Sequence, residues 1–316
     1  MGRLPSTDSE YTLSQLEAAG GSGIALPAKL RLASARNLAA AAALAASASA
    51  VTLADGLDWT PDRVLLVFLP PAIVLGRTRR YLLDFVPFAL LIIAYAELRG
   101  LAHIVSPHPY YRPQLWLERH LFGGVPAVWL QAHFWHGTMR WYDGVATTVL
   151  NAHFVVPPAV AFALWLKRRT LFYRFATSMI VLSFASAIVF VLFPSAPPWA
   201  AGQAGILKGV VKLPPVNDVS SLDSAAHAPA NPYAAIPSLH AGYAFLVALT
   251  IAGLVLQSRI RLRRTIAGLC FVYPLVQSIA VIYTGNHYVV DILLGCAFAT
   301  GAFVVTKRTL ARFGVA

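Results

Sequence analysis

The chain is 316 residues long, 58% hydrophobic and only 12% charged, with a formal net charge of +12. Soluble domains carry about 25% charged residues, so the composition excludes an ordinary soluble domain and indicates an all-α, polytopic membrane helical bundle. The positive balance does not indicate nucleic acid, because the basic residues stand in short clusters between apolar runs, as they do in cytoplasmic loops.

Residues 1–36 are polar, contain Gly and Ser, and lack periodicity, which predicts a mostly disordered cytoplasmic tail. That tail is too long for an ordinary signal peptide. Transmembrane helices are predicted at 37–54, 64–76 and 81–97, so that 37–98 forms an N-terminal membrane region. Segment 99–142 has no span but holds Trp116, Trp129, Trp135 and Trp141. Tryptophans gather at membrane–water interfaces, which predicts one or two helices lying along the outer surface. Spans at 144–166, 172–193, 237–256, 265–283 and 288–305 make 143–306 a membrane core, and 307–316 a second cytoplasmic tail.

About eight spans put both termini on one side, and the basic clusters around Arg36, Arg79, Arg168, Arg263 and Arg308 then fall on that side too. The second span is short at about 1.5 Å per residue, but removing it would destroy the basic pattern. The topology therefore places 99–142 and the loop 194–236 outside, in an integral protein of the plasma membrane. That loop exceeds the usual limit of about 12–15 residues for a plain connection. Within it Ile206, Leu207, Val210 and Val211 share one helical face and Lys208 and Lys212 another, predicting a short interfacial helix beside the site. The only cysteines, Cys270 and Cys296, stand inside apolar runs, so no disulfide framework is implied.

Chemistry concentrates where the last span begins, at His287 and Asp291. Four residues apart on a helix, they lie on one face, and a carboxylate that holds one imidazole nitrogen makes the other more nucleophilic. The sixth span opens with Pro237-Ser238-Leu239-His240, at the same membrane depth. Proline is a favoured helix start, and two helix N-termini, capped by Ser238 and Asn286, are predicted to face one pocket as an anion cradle. His133 and His136 have helical spacing, but no nearby acidic or cysteine partner completes a metal site.

Pro237-Ser238-Leu239-His240 resembles the second motif, Pro-Ser-x-His, of the type 2 phosphatidic acid phosphatase superfamily, and His287-x-x-x-Asp291 resembles its third. The run from Phe193 to Trp199, and the separation of 47 residues between His240 and His287, resemble the inositol phosphorylceramide synthase branch. The resemblance covers about 144–305. It implies His287 as a nucleophile forming a phosphohistidine, Asp291 as its orienting acid, and His240 as the general acid and then base. Two departures stand out: the Lys…Arg-Pro first motif is absent, and Ala280-Val281 replaces the Ser-Arg that precedes the histidine in phosphatases. A substitute for that basic cradle is sought among outer-face cations, with Arg140 ahead of Arg112, Lys208 and Lys212.

The implied substrate-binding set is Arg140, Ser238, Lys208, Lys212, Trp199, Asn286 and His153, the last lining the pocket from the fourth span. No cofactor and no metal are implied. The expected partners are a lipid phosphate or phospholipid donor, possessing in this branch an inositol phosphate, and an alcohol or sugar-lipid acceptor within the bilayer. The expected activity is transfer of a phosphoryl or phospho-head group. A lipid phosphatase acting on phosphatidate or polyprenyl phosphate, and a non-catalytic lipid transporter or scramblase, are the alternatives.

Overall fold

The computed structural model describes residues 28–56, 60–105, 108–213, 231 and 233–313. Most of the predicted N-terminal tail and the middle of the 194–236 loop therefore lie outside the described residues. Twelve helices follow one another among those described: α1 (Ala28–Asp55), α2 (Pro61–Val74), α3 (Thr78–Val105), α4 (Arg112–Phe122), α5 (Pro126–Phe134), α6 (Trp141–Lys167), α7 (Arg169–Leu192), α8 (Pro198–Gln203), α9 (Leu239–Leu256), α10 (Arg263–Leu269), α11 (Val272–Tyr283) and α12 (Val289–Arg312). Among the described residues, strand-like pairing consists of isolated bridges from Ser195 to Tyr110 and Ala234.

Among the described residues, seven segments are long and apolar enough to cross a membrane. The second predicted span, α2, is only 14 residues long, about 21 Å, and falls short of a hydrocarbon core of about 30 Å. It nevertheless reverses the chain. Arg36, in the third turn of α1, donates from Nη2 to the Val74 carbonyl at the end of α2, at 3.4 Å. Arg77 then donates from Nη1 to the Leu166 carbonyl at the end of α6, at 3.1 Å. Arg174, Arg264 and Lys307 line one cavity between α7, α10 and α12. The basic clusters thus gather at the end of the bundle opposite the starts of α9 and α12.

Three local departures from the predicted elements have physical causes. The span expected at 265–283 is broken at Cys270 and Phe271, because Pro274 has no N–H to give to the carbonyl one turn back. The helix expected at 206–212 is absent; Gly205 and Gly209 take positive φ angles of 71° and 80° there, and the chain bends instead with Leu207, Val210 and Leu213 buried. The short helix of this loop is α8. Segment 99–142 carries the two short helices α4 and α5, preceded by the last turns of α3.

In a bilayer, lipid tails are as apolar as leucine, so helices associate through packing, small residues and interhelical hydrogen bonds. Near the basic end an aromatic cluster does this, with Tyr81 stacked on Phe85 and Phe85 on Phe172 at centroid distances of 4.5 and 4.8 Å. Beside it the buried Asp84 carboxylate accepts from Trp165 (2.7 Å), Tyr173 (2.6 Å) and both Nε and Nη2 of Arg169, tying α3 to α6 and α7. Toward the other end Gly242 of α9 and Gly295 of α12 face each other; an added Cβ would be tight at Gly242 and would collide with the Ser238 carbonyl at Gly295. This close crossing brings the two motif-bearing helix starts together.

Candidate active site

The start of α12 is shaped by the turn that ends α11. Gly285 has φ +76°, and a Cβ there would lie 2.7 Å from the Val211 carbonyl, so only glycine fits. α8 and the segment after it cover this turn: Trp199 donates to the Gly285 carbonyl, Leu213 to that of Thr284, and Gln131 of α5 clamps Val211 and Tyr283. Asn286 and His287 both donate their amides to the Val281 carbonyl. His287 is thereby fixed, with 4% of its surface exposed.

His287 Nδ1 lies 3.3 Å from Asp291 Oδ2, and the same oxygen accepts the Tyr288 amide at 2.9 Å. With Nδ1–H donating to Asp291, the lone pair of His287 Nε2 points away from the acid, where His240 Nδ1 stands at 3.0 Å. His240 is the second residue of α9, whose N-cap is Ser238; the Ser238 hydroxyl accepts the Ala241 amide at 3.4 Å. The Ser238 amide donates to the Asp291 carbonyl at 2.9 Å, which locks the two helix starts to each other. His153, from the middle of α6, packs on His240 with centroids 4.1 Å apart and is oriented by a 2.7 Å bond from Nδ1–H to the Leu150 carbonyl.

The predicted anion cradle is not open at α12. Its Tyr288 amide is taken by Asp291, and its Val290 amide donates to Glu118 Oε1 at 3.0 Å. Glu118 belongs to α4 and is fully buried. Burial, reinforced by the neighbouring Asp291 charge, pushes its carboxyl up to about 7. Asn286 does not cap the helix; its side-chain amide donates to Thr284 Oγ1 at 2.9 Å.

His153, His240 and His287 line one cavity of about 400 Å³ between α2, α3, α6, α7 and α9, and Arg99 of α3 lines it with them. The remaining predicted substrate-binding residues lie outside it. Arg140 is exposed at the N-cap of α6, where its amide donates to Asp143 Oδ2 at 2.7 Å. Arg112, Lys208 and Lys212 are exposed, and Lys212 Nζ stands 5.3 Å over the Trp199 ring. His133 and His136 each bond through Nδ1 to a nearby backbone carbonyl, and no group of three or more metal-ligating side chains occurs among the described residues. Sequence reasoning missed Arg99 and Glu118. An arginine near the outer end of a membrane-length span, two residues after Glu97, was a usable signal for the first; Glu118, in a short amphipathic helix, carried none.

The profile of the PAP2 superfamily matches residues 116–305. The phosphoinositol dihydroceramide synthase of Bacteroides thetaiotaomicron is 29% identical over 252 residues, covering 70% of this chain and 75% of that relative. No solved structure matches. Arg99 stands before the matched segment, whereas Glu118 and all three histidines lie within it.

Proposed function

The chain belongs to the PAP2 superfamily, and on that premise we propose that it transfers a phosphoinositol head group from a glycerolipid donor to a ceramide-type hydroxyl through a phosphohistidine. The family and the named relative support the coarser statement, a membrane phosphotransferase or phosphatase. The observation that carries the finer one is the relay Asp291–His287–His240, at 3.3 and 3.0 Å, on the wall of a predominantly apolar cavity.

In the first half-reaction His287 Nε2 attacks phosphorus. A P–N bond forms as the P–O bond to the glycerolipid alcohol breaks, and His240, which takes up a proton as the phosphodiester anion docks beside it, gives that proton to the departing oxygen. In the second half the acceptor hydroxyl gives its proton to His240 while its oxygen attacks phosphorus. The P–N bond breaks and its electron pair returns to Nε2. Asp291 holds Nδ1–H throughout and offsets the charge that develops on the ring. The 3.0 Å contact between the rings lies where phosphorus enters, so substrate binding parts them. The step uses imidazole and carboxylate groups and requires no metal.

The orientation follows from charge. With the basic end cytoplasmic, both termini are cytoplasmic and the histidines open toward the extracytoplasmic leaflet, in the plasma membrane of the cell. The test is incubation of the purified protein with a phosphatidylinositol labelled in its head group, with and without ceramide. Label is expected on ceramide, with transient labelling of His287, complete loss in His287→Ala, and a fall of about 10²–10⁴-fold in His240→Ala. Release of inorganic phosphate from phosphatidate without any alcohol would replace the transferase by a lipid phosphatase. Lipid movement undiminished in His287→Ala would replace both by a non-catalytic transporter.

A further inference from the structure

The reaction brings a phosphate anion beside His287, yet the amides at the start of α12 are already bonded to carboxylates and the expected surface cations are elsewhere. Arg99 stands in the cavity itself. It lines that cavity together with His153, His240 and His287, and among the described residues no side chain lining the cavity is a carboxylate. A guanidinium matches a phosphate with parallel N–H donors in a way that a lysine does not. A charge on a membrane-length helix is costly and marks a function by default.

The wall leading away from Arg99 is equally specific. Phe85, Phe88, Ala89, Ile92 and Tyr95 line the cavity from the same face of α3, at the spacing that keeps residues on one side of a helix. From Phe85 to Arg99 is about 21 Å at 1.5 Å per residue, more than one leaflet's share, about 15 Å, of the hydrocarbon core. Opposite them stand Val64 and Leu65 of α2, so the short helix pairs with α3 to form a trough with a cation at its mouth.

We propose that the N-terminal helices supply the donor-lipid half of the active site: Arg99 binds the phosphate that His287 attacks, and the α3 trough holds a hydrocarbon chain of the same molecule. This rests on the phosphoryl-transfer reading, but assigns the phosphate ligand to a helix outside the family-matched segment. It also gives α2 a role that crossing the membrane does not, since a short helix leaves the trough open.

The test uses the full-length protein in detergent, with orthovanadate as the probe of the phosphate position and donors of long and short chains as probes of the trough. Orthovanadate is expected to raise the melting temperature of the unmodified protein. Arg99→Gln should weaken that binding about 10–100-fold, the loss of a charge-assisted hydrogen bond, and Arg99→Lys should restore part of it. Ala89→Phe, which fills the trough, should raise KM for the long-chain donor by at least tenfold and leave vanadate binding and the short-chain donor unchanged. Vanadate affinity unaltered in Arg99→Gln, or absent in the unmodified protein, would overturn the phosphate assignment. An equal rise in KM for both donors in Ala89→Phe would overturn the chain assignment. Vanadate binding that depends on Arg99 in a protein that turns over no phosphoinositol lipid would leave Arg99 in place and remove the proposed transferase.

Discussion

Gly295→Ala isolates the geometry on which the two histidines depend. A Cβ on Gly295 would sit 2.2 Å from the Ser238 carbonyl oxygen, whereas ordinary contact begins at 3.4 Å, so α9 and α12 must separate by about 1.2 Å. Ser238 precedes His240 by two residues and donates its own amide to the Asp291 carbonyl, so the displacement passes directly to the 3.0 Å contact between His240 and His287. A misplacement of about 1 Å costs roughly 10²-fold in rate. Stability should change far less. Overpacking costs about 1–3 kcal/mol, and alanine returns about 1 kcal/mol of helix propensity relative to glycine. The matched control is Gly301→Ala on the same helix, where an added Cβ meets nothing within 4 Å. The assay is initial-rate turnover of head-group-labelled donor, beside thermal unfolding of each protein. Gly295→Ala is expected to lose about 100-fold in kcat with a melting shift of a few degrees, and Gly301→Ala to keep full activity. Full activity in Gly295→Ala, or equal damage in Gly301→Ala, would refute the claim that this crossing sets the catalytic distance.

Glu118 gives a pH prediction. Its carboxyl, held near 7 in the folded protein against an ordinary 4.5, binds more protons folded than unfolded between those values, so stability falls as pH rises through that window. Glu118→Gln, which keeps an acceptor for the Val290 amide, should abolish that decline and melt higher than the unmodified protein at pH 8; parallel melting profiles from pH 4.5 to 8 would contradict it. Asp84→Asn removes the charge that three helices share and sets an amide against donors from Trp165 and Tyr173. The expected loss is about 2 kcal/mol, below the 3–5 kcal/mol of a wholly buried pair because half of the Arg169 side chain meets solvent. Thermal unfolding reads it, and an unchanged melting temperature would show that the network is idle.

The elements that sequence made legible are those governed by local signals. The long apolar runs became helices, and the basic clusters marked one end of the bundle, because length, hydropathy and charge act over neighbouring residues. The shortness of α2 was already legible in its apolar run, but it was kept as a span for the sake of the basic pattern, since an apolar run does not say where its helix starts. The helix expected at 206–212 failed for an opposite reason: its apolar spacing was read as helical, while Gly205 and Gly209 allowed the bends that fit Leu207, Val210 and Leu213 under the chain. In the site, His287 and Asp291 were legible because a four-residue spacing fixes them on one helix. Arg99 and Glu118 depend on which face of α3 turns inward and on how α4 folds beneath α12, and both are set only by packing between elements far apart in sequence.

The cavity wall bears on the acceptor as well as on the donor. A phosphohistidine reaches water or a hydroxyl according to which is held at the phosphorus, and the described walls beside His287 are mainly aliphatic and aromatic. In the proposed reaction such a lining would admit a hydrocarbon-bearing alcohol and give water few partners, which is the physical ground for proposing transfer over hydrolysis. α8 and the loop after it add to this, because the bonds of Trp199 to Gly285 and of Leu213 to Thr284 cover the turn before α12. Loosening that cover with Gln131→Ala, which removes the clamp on Val211 and Tyr283, leaves the relay of histidines intact. It should therefore raise the ratio of free inositol phosphate to ceramide product more than it lowers total consumption of donor. A fall in total turnover with an unchanged product ratio would mean that the cover positions the histidines and does not exclude water.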